Sequence, residues 1–296
     1  MPVYPFMQVD AFTSQPLGGN PCAILFDTDN LDEKTMLAIA REMNLSETAF
    51  VRRSKVADFG VRYFTPSEEI PLAGHPTIAT TFALVASGRL ALTGNLTRIH
   101  LELAVGPILV EIYAQAGRVE RIAMSQKKPQ FLKSYPAHQV LPVFGLQAGD
   151  ALPGVPIQTV STGTPQLMIP LKSLDALRRA HLDIPAYNHM RSQADFFSPH
   201  LFYLAGITPA GETFARHFGT PPDLLEDPFT GSATGGMGAY LWRYGLIEKP
   251  HFTAEQGHWM DRPGQAEVQV VGERGDIQTV KVSGNAVVVL RGEFEI

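Results

Sequence analysis

The sequence predicts an α+β protein built from two similar halves, and three observations predict it. Two helix-like segments match: Gly74 to Gly88 and Gly231 to Gly245 each begin with glycine, carry threonine three residues on and end with glycine at the fifteenth position. Two strand-like segments upstream match as well, Val61-Arg62-Tyr63-Phe64 and Ala215-Arg216-His217-Phe218, both alternating and both of the form Arg-aromatic-Phe. The 26 Gly and 23 Pro among 296 residues come to about 17% against a usual ~12%, the composition of many short strands and tight turns.

In chain order, Gln8-Val9-Asp10 to Asn20-Pro21-Cys22-Ala23-Ile24 reads as strand, turn, strand, and is loosely repeated at Gln158-Thr159-Val160 to Thr164-Pro165-Gln166-Leu167-Met168. Leu31 to Met43 follows as an amphipathic helix, with Met36, Ile39, Ala40 and Met43 on one face, acidic and Asn residues at its start and Asn44 past its end. Strands are predicted at 48–51, 99–103, 108–112, 119–124, 268–271, 279–282 and 287–291, between Gly or polar turns. The two matched helices carry small residues in the first turn and bulky apolar ones later, and their final glycines suit left-handed caps. The offset between the halves is 154 residues at the strands and 157 at the helices. The seam is expected at Gln126-Lys127-Lys128-Pro129, which divides the chain into domains 1–128 and 129–296. Residues 183–210, with Arg191 and several aromatics, read either as a second wall of a cleft or as a surface loop and a core strand.

Composition excludes several classes of function. Hydrophobic residues at 45% and charged residues at 18% describe an ordinary soluble globular chain. The net charge of −5 divides as −1 for residues 1–150 and −4 for the rest, so neither half offers the basic field that nucleic acid or an anionic membrane needs. Apolar runs such as 82–86 and 286–290 are far short of the ~20 residues that span a bilayer. The single cysteine and the opening MPVYPFMQVD, which has no charged region followed by an apolar one, lead to an expectation of a reducing, cytoplasmic setting.

The candidate chemistry begins at the two helix starts. Unpaired N–H groups and a partial positive charge collect there, and small residues let an anion approach the backbone. If the starts at Gly74 and Gly231 face one another across a cleft, a carboxylated small molecule is the guest they suit. Turn geometry alone does not require the matched Thr77 and Thr234, which weighs toward such a role. Glu47 lies between a helix and a strand beside Leu45, Ala49 and Phe50, where lost hydration would raise its pKa toward the range useful for moving protons. A solvated turn glutamate, or one that ties down backbone N–H groups, fits the same residues. By itself, His75 at a helix start is more often a capping or packing residue than a catalyst, and Asp227 before Pro228 often begins a turn. Gly231-Ser232 is not a nucleophile elbow, since position 230 is Thr, and no phosphate loop, dinucleotide fingerprint or zinc-binding pattern is present. Cys22 reads as a buried small hydrophobe.

Together, Gln8-Val9-Asp10-Ala11-Phe12-Thr13, Gly19-Asn20-Pro21, Asn44-Leu45-Ser46-Glu47-Thr48-Ala49-Phe50, Arg62-Tyr63-Phe64-Thr65-Pro66, Gly74-His75-Pro76-Thr77 and Asp227-Pro228-Phe229-Thr230-Gly231-Ser232-Ala233 resemble the phenazine-biosynthesis isomerase (PhzF-like) family. The resemblance implies the diaminopimelate-epimerase fold: two pseudo-symmetric domains, each a β-barrel-like sheet around a central helix, with the active site in the cleft between them. In such folds the C-terminal segment commonly returns to the first domain, as the strand near 287–291 would here. It further implies isomerisation of a small carboxylated substrate without any cofactor or metal, and a homodimer, which the family often forms. Glu47 falls on the family's single acid/base, His75 and Asp227 on positions that assist it, and Gly74, Gly231 and Ser232 on positions that bind the substrate.

Diaminopimelate epimerase places a cysteine immediately before each helix-starting glycine, whereas those positions here are Ala73 and Thr230, so two-thiol epimerisation is excluded. Two alternatives stay open: a racemase or epimerase that uses Glu47 with a non-thiol partner such as His75, and a non-catalytic protein that binds a small molecule.

Overall fold

Six successive buried residues, Asn20-Pro21-Cys22-Ala23-Ile24-Leu25, mark a strand covered on both faces, and the first half of the chain is organised around it. In the computed structural model, residues 1–219 and 225–296 are described. Strand β1 (Val3–Ala11) runs antiparallel to β2 (Asn20–Leu25). Helix α1 (Glu33–Met43) then carries the chain across to β3 (Glu47–Arg52), parallel to β2. Asp32 caps α1 by accepting the Thr35 N–H at 2.7 Å, and Asn44, at φ 49°, ends it in the left-handed region. The helix thus begins two residues later than its apolar pattern suggests, at the cap. Met36, Ile39 and Ala40 seat it on Leu25, Phe50 and Phe64.

Strand β4 (Phe59–Phe64) pairs antiparallel with β3 and with the short β5 (Glu69–Ile70). After helix α2 (Gly74–Ala86), strands β6 (Leu96–Leu103), β7 (Gly106–Gln115) and β8 (Arg118–Ser125) form a meander whose first strand lies parallel to β4. Ten of the thirteen residues of α2 are buried, so it is a central helix without a solvent face. It packs against β1, β2, β3, β8 and the C-terminal strand Ala286–Glu295.

The second half repeats this order. Strand β9 (Gln130–Tyr135) and the short helix α3 (Ala137–Val140) lead to β10 (Ile157–Ser161), antiparallel to β11 (Pro165–Pro170). Helices α4 (Leu174–Arg179) and α5 (Ile184–Arg191) precede β12 (Ser198–Tyr203), which lies parallel to β11. Strand β13 (Thr213–Phe218) is antiparallel to β12 and to β14 (Glu226–Asp227). Helix α6 (Gly231–Arg243), again with ten of thirteen residues buried, packs on β10 and β11. Strand β15 (His251–Gln256) lies parallel to β13, as β6 does to β4, and β16 (Gly264–Glu273) and β17 (Asp276–Gly284) follow. The stretch 183–210 therefore holds the helix α5 where a surface loop was one reading, followed by the buried core strand β12. Asp183 caps α5 by accepting the Ala186 N–H, and Tyr187 anchors it in the core.

Side chains repeat as well as strands. Arg62 pairs with Glu69 across β4 and β5 and lies 5.1 Å from the Phe64 ring; Arg216 pairs with Glu226 across β13 and β14 and lies 4.8 Å from the Phe218 ring. Both central helices end on a glycine in the left-handed region, Gly88 at φ 73° and Gly245 at φ 68°. Sheet-dominated α+β structure, with 42% strand and 22% helix, follows from this arrangement of sheets around two helices.

By internal contacts the chain divides into two compact units: Met1–Ser125 with Trp259–Ala266 and Val282–Ile296, and Gln126–His258 with Glu267–Lys281. The expected division into 1–128 and 129–296 places its seam three residues later and returns only the strand near 287–291. Strand pairing accounts for the larger return. The outer edge of β1 is filled along its whole length by the C-terminal strand, from Val3 opposite Glu295 to Ala11 opposite Ala286. Among the described residues no helix is long and apolar enough to cross a membrane.

The turn into β2 depends on Gly19, at φ 51°, where a Cβ would stand 2.0 Å from the Ala11 carbonyl oxygen. Gly19→Ala is expected to lower stability by about 2–3 kcal/mol, through overpacking against backbone that cannot give way. The urea unfolding midpoint measures it; an unchanged midpoint contradicts the tight turn.

Candidate active site

Two sets of predicted site residues are gathered, one within each unit. In the first unit, the left-handed Asn44 turns the chain out of α1 so that Glu47 opens β3, opposite Cys22 on β2. Ala73 precedes α2 in extended conformation with no side-chain cap, and Gly74 and His75 begin the helix. His75 Nε2 lies 3.3 Å from Glu47 Oε2, with the imidazole only 3% exposed and the glutamate side chain 17% exposed. The other ring nitrogen, Nδ1, lies 3.0 Å from Nδ2 of the fully buried Asn20.

Burial decides the charge of this cluster. It lowers the His75 pKa to about 3 against the opposing effect of the Pro21 carbonyl, so the ring is neutral at physiological pH. Burial, and then the neighbouring Glu47 charge, push the Cys22 thiol well above its ordinary value. The Tyr63 phenol is raised in the same way, mainly by burial. Thr77 donates its one hydroxyl proton to the Ala73 carbonyl at 2.7 Å and therefore accepts from Tyr63 at 3.0 Å. A carboxyl group thus sits among neutral partners, one of them an imidazole whose Nε2 lies close to it without a formed hydrogen bond.

In the second unit, β14 brings Asp227 to the start of α6. Thr230 donates its hydroxyl to Asp227 Oδ2. Gln256 clamps the same turn, donating to the Asp227 carbonyl at 2.6 Å and accepting the Thr230 N–H at 3.2 Å. Gln126 donates to the Gly231 carbonyl at 2.9 Å. Asp227 and Ser232 are both partly buried, whereas Gly231 is buried.

The matched threonines have a structural explanation that corrects the sequence reading. Thr77 bonds back to Ala73 O, and Thr234 bonds back to Thr230 O at 2.9 Å, so each closes the first turn of its own helix. Strand register also shows what stands opposite Glu47 in the repeat. Tyr63 pairs with Ala49 and His217 with His200, so Glu47 corresponds to Ser198; Cys22, opposite Glu47, corresponds to Gln166, opposite Ser198. The second unit therefore has no carboxyl group at the corresponding position.

A family model described as phenazine biosynthesis-like protein matches residues 9–292. The chain belongs to the phenazine biosynthesis-like family. It is 34% identical over 290 residues to the trans-2,3-dihydro-3-hydroxyanthranilate isomerase of Pseudomonas fluorescens, covering 97% of this chain and 98% of that one. Further relatives are likewise named isomerases, and the chain is an enzyme of that class. A solved PhzF-family phenazine biosynthesis protein from Bacillus anthracis superposes with a TM-score of 0.89 at 31% identity, over 100% of both chains. A hydroxyproline epimerase from Agrobacterium vitis, at 11% identity, shares the fold with a TM-score of 0.69 over 98% of this chain and 92% of that one.

For this PhzF-like enzyme, several residues around the site escaped sequence reasoning. Asn20 stands in the Gly19-Asn20-Pro21 motif, but nothing local shows that its amide meets a histidine 55 positions away. Gln126 and Gln256 carry no pattern at all. The second unit also holds a buried polar chain with no sequence signal: His200 Nδ1 lies 3.3 Å from His217 Nδ1, His217 Nε2 lies 2.9 Å from Ser198 Oγ, and Ser198 donates to Gln166 at 2.6 Å.

Burial lowers His217 to about 3, and burial, followed by repulsion between the two rings were both to be protonated, lowers His200 well below its ordinary value. With His75, three rings stay neutral in the fold but take up protons near 6.5 when unfolded. Above pH 6.5 they leave stability unchanged. As pH falls from 6.5 toward 3, the unfolded state binds protons the folded state refuses, so stability is lost at up to about 1.4 kcal/mol per pH unit for each ring. Thermal unfolding between pH 7.5 and 5, above the range of ordinary carboxylates, is expected to show a falling Tm. A flat Tm over that range contradicts three buried neutral rings.

Proposed function

We propose that this protein is a cofactor-independent isomerase that relocates a hydrogen, and with it a double bond, on a small carboxylated metabolite, using Glu47 as its single general acid/base. The observation that supports this most directly is the half-buried Glu47 carboxyl group 3.3 Å from a buried, neutral His75. As carboxylate, Glu47 removes a proton from a substrate carbon; the electron pair left behind is delocalised into the adjoining unsaturated, carboxylated system. As carboxylic acid, it returns a proton to a different carbon, so no oxidant or reductant is consumed. The His75 N–H steadies the carboxylate between the two steps, and a dry surrounding keeps the proton from being lost to bulk water.

In this reading the substrate's polar groups are bound by Asp227, Ser232 and the backbone at Gly231 and Gly74. The register that matches Glu47 with Ser198 favours one base over two related ones. Proton NMR of trans-2,3-dihydro-3-hydroxyanthranilate in D₂O tests the proposal. Isomerisation is expected, and the deuterium content of the receiving carbon shows whether the carboxyl proton exchanges with solvent before it is returned. Turnover that exchanges a stereocentre without moving a double bond, in this compound or in other small carboxylates, overturns the isomerase in favour of an epimerase.

A further inference from the structure

We propose that Asn20 is a positioning residue for the proton transfer: its side-chain amide holds His75 as the tautomer that carries its proton on Nε2, the nitrogen facing Glu47. The inference rests on the reading of Glu47 as the acid/base.

The geometry carries the argument. A neutral imidazole has one N–H and one acceptor nitrogen, and whatever meets the first decides the second. Asn20 Nδ2 is a donor with no lone pair to offer, and it stands 3.0 Å from Nδ1. That contact is favourable only if Nδ1 is the acceptor, which leaves the proton on Nε2, 3.3 Å from Glu47 Oε2 and not yet hydrogen-bonded to it. The other tautomer sets N–H against N–H at Asn20 and a lone pair against a carboxylate oxygen at Glu47, two repulsions inside a region that excludes water. In this orientation of the amide, Asn20 Oδ1 lies 3.5 Å from the Ser46 hydroxyl.

The Asn20 backbone is held from a distant part of the chain. Arg262 donates to the Gly19 carbonyl at 2.9 Å, to the Gly18 carbonyl at 2.8 Å and to Asp10 Oδ1 at 2.9 Å. Asp10 Oδ2 in turn accepts the Leu17 N–H at 2.7 Å. Residues 17–19 are thereby fastened on both sides of the turn, and the fully buried amide of the next residue has little freedom to leave the imidazole. None of these contacts is needed to build β2, whose hydrogen bonds run to β1 and β3.

The test uses protein labelled with ¹⁵N-histidine, in which long-range ¹⁵N–¹H correlations read the tautomer of each ring directly. The His75 resonances are identified by their loss in His75→Gln. The wild-type ring is expected to carry its proton on Nε2. Asn20→Asp keeps the shape but replaces the donor with an acceptor, so the His75 proton is expected to move to Nδ1 or the ring to become doubly protonated. Turnover falls roughly 10²-fold with KM little changed, as for a misdirected catalytic group.

A wild-type proton on Nδ1 overturns the proposal, and that measurement stands even if Asn20→Asp fails to fold. An unchanged Nε2–H tautomer in folded Asn20→Asp overturns it too. If the tautomer responds as expected while Glu47→Gln retains full turnover, the assignment of Glu47 fails and the Asn20–His75 coupling remains. A loss of Tm alone, with the tautomer intact, reduces Asn20 to a structural residue and also counts against the proposal.

Discussion

Glu47→Gln is expected to abolish turnover, a loss of at least ~10⁴-fold, while fold and ligand binding stay close to wild type. The amide has nearly the volume of the carboxyl group, so β3 and the start of α2 need not move. Its amide oxygen can take the position where Oε2 now lies, 3.3 Å from His75 Nε2. What it cannot do is take a proton from carbon and return it. The Cys22 thiol and the Tyr63 phenol, both raised by burial and by the Glu47 charge, stay protonated and cannot substitute as bases near neutral pH. Steady-state kinetics, the far-UV CD spectrum and Tm, measured on the same preparation, separate loss of chemistry from loss of fold. Retained turnover sinks the one-carboxylate mechanism whatever the substrate.

His75→Ala and Asp227→Ala are each expected to slow turnover by ~10²–10⁴, through different causes. His75→Ala removes the donor beside Glu47 and opens a cavity next to it, so the carboxylate loses both its neighbour and its dry surroundings. Since the ring ionises only near pH 3, the wild-type rate should show no inflection near 6.5 from this histidine. Asp227→Ala removes the acceptor of the Thr230 hydroxyl at the cap of α6. Asp227→Asn separates the roles there, because an amide oxygen still accepts from Thr230 while the charge is gone. A rate that recovers in Asp227→Asn assigns Asp227 to shaping the turn; a rate that stays low assigns its charge to the substrate. Wild-type rates in both alanine variants would reduce His75 and Asp227 to structural roles.

Much of the fold is legible in short windows of sequence because its causes are local. The stop of α1 at Asn44 and the left-handed glycines after α2 and α6 follow from backbone preferences a few residues wide. The Arg-aromatic-Phe strands were visible by alternation, and each proved to hold the same ion pair and the same cation–ring contact. Helix α5 was less legible: Ile184–Arg191 is short, exposes most of its surface and owes its start to the Asp183 cap and its seat to one buried tyrosine. The matched threonines misled for a related reason. Their hydroxyls serve the backbone of their own helices, and residue type alone does not show which way a hydroxyl points.

By itself, the sequence determined that this is a sheet-rich α+β protein with two related halves, that it belongs to the phenazine biosynthesis-like family, and that Glu47, His75 and Asp227 stand in the segments that carry the resemblance to it. Only the tertiary structure decided what those residues touch. It set the Asn20 amide on His75 and the Arg262 guanidinium on the turn before Asn20. It also delivered the last strand of the chain to the first. These contacts depend on strand register and on packing between segments from 28 to more than 200 residues apart, and a shift of one residue in register would turn each side chain to the opposite face of its sheet.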